Sequence, residues 1–234
     1  MIDMVTTPDG SLVAMVHCNN CTSDLNAWVG LFKEYQELLG IPVDMNEVYG
    51  KLYNNALNGD TDCGGLISYN YISGEPLTGL AEGRPLFVRS ANDKFNLANF
   101  IRTHLYASVG VLKLGNDILF NDEKVRVDRI TGHGGLFKTK GVGQRILAAA
   151  INSPISVMET AGEGGAWGIA LLASYLVNNT NKQSLADYLD EVVFAGDAGV
   201  EIKPTKEDVA GFNKYIENYK ACLAIEEAAV KAKN

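Results

Sequence analysis

The sequence predicts an α/β layered domain. Three observations predict it. β-prone and helical runs alternate along most of the 234 residues. Hydrophobic residues make up 47% of the chain and charged residues 21%, a balance that builds a substantial core. Glycine clusters stand twice between a strand-like run and a helical run, at 132–135 and again from 162 onward.

The elements follow in order. Residues Asp3 to His17 hold two short β-prone runs around a Pro-Asp-Gly turn, which reads as a hairpin. In "DLNAWVGLFKEYQELLG", Leu25, Trp28, Val29, Phe32, Tyr35, Leu38 and Leu39 recur at helical spacing, and Gly40 and Pro42 stop the helix. A second helix is expected from Asn46 to Leu57, and "GGLISYNYI" at 64–72 reads as a buried strand. Residues 73 to 95 are rich in Gly and Pro and read as irregular. A long helix comes next, with Leu97, Ile101, Leu105, Val109 and Leu112 on one apolar face and Ile118 and Leu119 near its end. "VRVDRIT" at 125–131 is expected to be a strand that runs straight into the first glycine cluster. A helix from Val142 to Ile151, a strand in "PISVME", and an Ala- and Gly-rich helix in "GGAWGIALLASYLV" continue the alternation. The small residues of that last helix predict close packing on a neighbour, with Trp167 pointing inward. A short helix near Ser184 to Val193 and a charged helix from Lys206 onward end the chain.

Charge and composition narrow the function. The formal net charge of -8 argues against nucleic acid or an anionic membrane as the main partner, while leaving room for a small anionic ligand in a local field. No apolar run reaches the length of a membrane span, and the first residues carry no basic region followed by an apolar core. A cytoplasmic location is therefore expected, with Cys18, Cys21, Cys63 and Cys222 as reduced thiols. A Cys-x-x-Cys zinc site needs a second pair of ligands, and only Cys63 is near, so Cys18 and Cys21 read as small buried or half-buried thiols. A homodimer is possible.

"GHGGLFKTKGVGQR", residues 132 to 145, carries the functional signal. A strand, a glycine loop and a helix in succession present backbone N–H groups at a helix N-terminus. Glycine there admits positive φ and lets a ligand approach the backbone. The spacing matches neither the Walker loop nor the dinucleotide fingerprint, which wants Gly or Ala where Phe137 stands. A tight turn without a ligand explains the stretch equally well on spacing alone. The second unit of the same kind, "ETAGEGGAWGIALLASYL", favours a ligand, since two such loops can wall one crevice. Asp60, Asp62 and Glu75 are acidic residues around a strand and are candidates to hold Mg²⁺ through water, although Asp60 and Asp62 read better as a solvated loop.

The strand–Gly-His-Gly-Gly–helix unit followed by "SPISVMETAGEGGAWGIALLA" resembles the C-terminal half of the FGGY carbohydrate kinases. "YNYISGEP" is similar to that family's Pro-Tyr-Leu-x-Gly-Glu-Arg stretch, and "TPDGSLVAMVH" to the strands that open this half. The phasing after Gly135 looks most like the pentulose kinases, the xylulokinases and ribulokinases. Pro76 departs from the pattern where relatives carry Arg, and so does Lys138-Thr139-Lys140 where relatives carry small or amide residues.

The resemblance implies an actin-like, ribonuclease-H-like lobe, a mixed sheet flanked by helices. It implies that residues 1–234 form the nucleotide-binding lobe, with the sugar-binding lobe and the catalytic Asp outside this sequence. The cofactors are then ATP and Mg²⁺. Gly132, Gly134 and Gly135 would contact the nucleoside end of ATP, with Thr139 reaching the base or ribose. Glu75 and Glu163 would face the cleft. The implied reaction is ATP-dependent phosphorylation of a sugar hydroxyl, on a ketopentose such as xylulose, with this chain inactive by itself. The rival reading is a nucleotide-binding or regulatory lobe of the same fold without chemistry.

Overall fold

The computed structural model describes residues 2–158, 164–179, 182–195 and 199–232. Its centre is one helix. α3, Leu97–Asp117, buries nearly every side chain from Asn99 to Val111. Asn96 caps it by accepting from the Asn99 N–H. The expected apolar face supplies Ile101, Leu105 and Val109 to the core. The other face is buried too, although it carries Arg102, Thr103 and His104. Arg102, Thr103 and His104 Nδ1 each have a hydrogen-bond partner, and His104 Nε2 has none. Beyond Asp117 the helix widens into a π-turn, Ile118–Asp122.

Around α3 pack α1, Ser23–Leu38; α2, Met45–Ala56; α4, Val142–Ile151; and α7, Lys206–Ala221. Asp44 caps α2 through the Asn46 N–H, and Thr205 caps α7 through the Asp208 N–H. α8, Leu223–Lys231, follows α7 after a single residue.

The strands do not form the expected mixed sheet. Among the described residues they make three separate antiparallel pairs. β1, Ile2–Thr6, and β2, Leu12–Val16, are the predicted hairpin. β3, Ile67–Tyr69, pairs with β4, Leu86–Val88, inside the stretch expected to be irregular. β5, Ile155–Val157, pairs with β6, Val200–Ile202. The expected strand at 125–131 is reduced to one parallel bridge, Thr131 to Ser156. The Ser156 N–H donates to the Ile130 carbonyl at 2.9 Å and the Gly132 N–H to the Ser156 carbonyl at 2.8 Å. Residues 125–129 are exposed, so their alternating pattern has no sheet to face.

α5, Gly164–Asn178, is the clearest departure from expectation. It buries none of its residues. A side-chain carbon added at Gly165 or Gly168 would meet nothing within 4 Å. The small residues do not mark a close contact here. Trp167 is half-buried and meets the Phe194 ring edge-on at 5.5 Å. α6, Leu185–Tyr188, lies beside α5, with Ser174 Oγ 3.1 Å from the Tyr188 hydroxyl.

Candidate nucleotide site

The first glycine cluster is built around a single left-handed step. Gly134 has φ 105° and ψ 179°, a conformation reserved for glycine. It turns the chain out of the bridge at Thr131 and into a 3₁₀ turn, Gly135–Phe137. Gly141, with φ 81°, then starts α4. Gly143 lets the loop lie on that helix, because a side-chain carbon there would stand 2.6 Å from the Leu136 carbonyl oxygen.

The four glycine-loop residues expected to hold a ligand divide by role. Gly135 is exposed, and the space where its side chain would project is open for 4 Å. Thr139 is half-buried. Both line one cavity of about 430 Å³, together with Leu136 and Lys138. Its opposite wall comes from Thr22 and Asn26 at the start of α1 and from Asn46, Tyr49 and Tyr53 of α2. Gly132 is elsewhere. It is buried, and an added side-chain carbon would fall 2.6 Å from the Phe137 ring, so its bareness makes room for Phe137 rather than for a ligand. Gly134 shapes the turn without lining the cavity.

Sequence reasoning missed the α1–α2 wall. Tyr49 and Tyr53 stand four residues apart on one helix face, a spacing that reads as ordinary packing. The Tyr49 hydroxyl donates to Asn26 Oδ1 at 2.9 Å, which ties the two helices at the mouth of the cavity. Its ring meets Tyr53 edge-on, 5.5 Å between centroids at 83°.

Glu75 is not at an open cleft. It is 0% exposed, and its Oε2 accepts from the Asn19 N–H at 3.0 Å and from Asn20 Nδ2 at 3.3 Å. The Asn20 amide also holds the backbone of Ile72 and Ser73. Glu75 therefore pins the loop after β2 to the segment after β3. Pro76 starts the 3₁₀ turn Pro76–Thr78. Glu163 lies outside the described residues. Asp60 and Asp62 are paired with Lys94 and Lys214 respectively. Among the described residues no three His, Cys, Asp or Glu side chains converge to hold a metal ion. Burial pushes the Cys18 thiol up to about 12, with Glu75 and Cys21 adding to the shift. The thiol is therefore protonated at neutral pH.

The second glycine unit comes close to the first. A side-chain carbon at Gly164, the first residue of α5, would stand 3.2 Å from His133 Nδ1. The start of α5 therefore lies beside His133 of the first loop, and residues 159–163 of the second glycine stretch lie outside the described residues.

A strand edge, a left-handed glycine turn and a helix thus open on a pocket with an aromatic and amide wall in an α/β domain. The chain belongs to the FGGY family of carbohydrate kinases: the model of that family's C-terminal domain matches residues 1–177. No curated protein matches it by sequence. Among solved structures, xylulose kinase from Rhodospirillum rubrum is similar with a TM-score of 0.64 at 15% identity, over 96% of this chain and 42% of that one. Ligand-bound xylulose kinase from Lactobacillus acidophilus gives 0.59 at 21%, over 74% and 34%. Plasmodium falciparum glycerol kinase with ADP gives 0.55 at 19%, over 85% and 37%. At these identities the likeness is one of fold. The chain spans well under half the length of each of these kinases. No helix among the described residues is long and apolar enough to cross a membrane.

Proposed function

We propose that this chain is the nucleotide-binding lobe of an ATP-dependent carbohydrate kinase with an actin-like fold. The observation that carries the reading is the cavity that joins Gly135 and Thr139 to α1 and α2. A volume of about 430 Å³ lies within the range of small-ligand pockets. Family membership and the ADP named with the Plasmodium glycerol kinase support a nucleotide as its occupant.

In this reading the nucleotide supplies the phosphoryl group, and the chain supplies position. Gly135 presents bare backbone to the nucleoside. Thr139 offers a hydroxyl that can both donate and accept. Leu136 is buried beneath the loop and helps keep water from that side of the pocket. The catalytic base and most of the sugar pocket belong to residues outside this chain. Phosphoryl transfer is then a matter of alignment and charge stabilisation between two lobes. Mg²⁺ would ride on the phosphates; the acidic side chains among the described residues form no cage for it. A ketopentose such as xylulose is the proposed acceptor, since xylulose kinases recur among the similar folds.

Calorimetric titration of the chain with MgATP and with ADP tests the reading. Weak binding of both is expected, and no binding of either would overturn it. In a coupled ADP-release assay the chain alone should stay silent with xylulose. Sugar-dependent turnover at about 1–100 s⁻¹, the ordinary kinase range, would place the catalytic base inside this sequence instead.

A further inference from the structure

We propose that Tyr49 is the aromatic platform on which the base of the bound nucleotide stacks, so that this side chain makes the lobe prefer a nucleotide over bare polyphosphate. The inference rests on the nucleotide reading above and adds a residue to it.

Three features of the cavity point to Tyr49. First, it lines the same cavity as a bare glycine. Gly135 contributes no side chain to the opposite wall, and the volume beside it is open. A flat ligand entering between the walls meets backbone on one side and the α2 tyrosines on the other. Second, the ring is held before anything binds. Its hydroxyl is fixed on Asn26 Oδ1 at 2.9 Å, and its ring is braced by Tyr53, which is only 4% exposed. A ring fixed at both ends loses little freedom on binding. Third, the residue after it is Gly50, which also lines the cavity and has open space where a side chain would project. No side chain at that position stands in the way of a stacked base.

The chemistry suits a base better than a sugar or a phosphate. Every nucleobase has a π-face, and stacking on an aromatic ring is tolerant of sequence and of tilt. Burial raises the Tyr49 hydroxyl above its usual pKa, so it remains a neutral donor to Asn26, and a neutral phenol carries no positive charge to attract a phosphate.

The test compares nucleotides with inorganic tripolyphosphate on the chain and its Tyr49 variants, by calorimetry. Tyr49→Leu should weaken ATP and ADP by roughly 5- to 150-fold, the range of base–aromatic stacking, and leave tripolyphosphate unchanged. Tyr49→Phe keeps the ring and loses the bond to Asn26, so it should bind ATP within a few-fold of the wild type. Tyr49→Trp should bind ATP at least as well and show quenching of its added fluorescence by ATP and not by tripolyphosphate. If the wild type binds no nucleotide, the nucleotide reading itself fails, whatever Tyr49 does. If the wild type binds ATP and Tyr49→Leu binds it equally, the platform is wrong. It is equally wrong if Tyr49→Leu weakens ATP and tripolyphosphate alike, because that marks a scaffold effect. Should Tyr49→Leu fail to fold, Tyr49→Trp decides: nucleotide binding without quenching overturns the proposal.

Discussion

Two glycines three residues apart respond oppositely to a side chain. At Gly132 the Phe137 ring stands 2.6 Å from an added carbon, so Gly132→Ala should overpack the turn and cost about 1–3 kcal/mol in thermal or urea melts. At Gly135 the same position is open, so Gly135→Val should keep the melting temperature and lose ATP affinity, because its branched side chain fills the mouth of the cavity. Unchanged ATP affinity in folded Gly135→Val would remove this loop from the site. His104 sets a second residue-level expectation. It sits against the rings of Trp28, Phe87 and Phe100, with Nδ1 2.9 Å from Ser68 Oγ and 3.7 Å from Asp24 Oδ2, and Nε2 has no hydrogen-bond partner. Burial lowers its pKa to about 3. The unfolded chain therefore takes up a proton near the ordinary histidine value, while the folded chain resists it. Stability contributed by the neutral ring is whole above that value and is lost as pH falls towards the folded pKa. His104→Phe should flatten the fall of the urea midpoint between roughly pH 6 and 4. An unaltered pH slope would show that other groups govern acid sensitivity.

At the scale of elements, the long periodic helices and the strands β1, β2, β3 and β5 were legible, and β4 and β6 were not. α1, α2, α3 and α4 show apolar spacing over nearly three turns or more, and their ends carry caps or breakers such as Asp44, Asn96 and Gly141. β4 and β6 are three residues long, too short for an alternation to register, and β4 sits in a Gly- and Pro-rich stretch. What ties the β5–β6 pair to α4 is a side chain that no pattern reveals. Gln144 Nε2 donates to the Ile155 carbonyl at 3.2 Å and to the Val200 carbonyl at 2.7 Å. Gln144→Leu should leave two carbonyls short of a donor and cost about 1–3 kcal/mol, read as a drop in melting temperature. The close packing expected of α5 failed for a different reason. Its Gly and Ala spacing is the same whether a neighbour is present or not, and the structure leaves Gly165 and Gly168 facing open space. Of the candidate site, the glycine turn was legible from its residues. The tyrosine wall was not, because a cavity between loop and helices is a tertiary fact.

The whole molecule is held by a charged group at its centre. Arg102 of α3 is 2% exposed on its side chain and Asp208 of α7 1%, with 2.9 Å between Nη2 and Oδ1. Arg102 also donates to the Gly59 carbonyl at 3.0 Å and to the Tyr106 hydroxyl, and Asp208 accepts from Arg145 of α4 at 2.7 Å. Three elements distant in sequence thus meet on one carboxylate. Burial alone would raise that carboxyl, and Arg145, Thr205 and Arg102 outweigh it and hold it below the usual range. The cluster fixes how α3, α4 and α7 dock more than it adds to stability, since desolvation offsets much of the Coulomb gain. Removing one partner is another matter, because it strands a buried guanidinium. Asp208→Asn should cost about 3–5 kcal/mol, which for a domain of this size lowers the melting temperature by roughly 10 °C. Arg145 is 39% exposed on its side chain, so Arg145→Met should cost clearly less. The ordering of the two variants is the decisive measurement. If Arg145→Met destabilises as much as Asp208→Asn, the exposed half of the cluster carries the docking, and the buried pair is not the pin between α3 and α7.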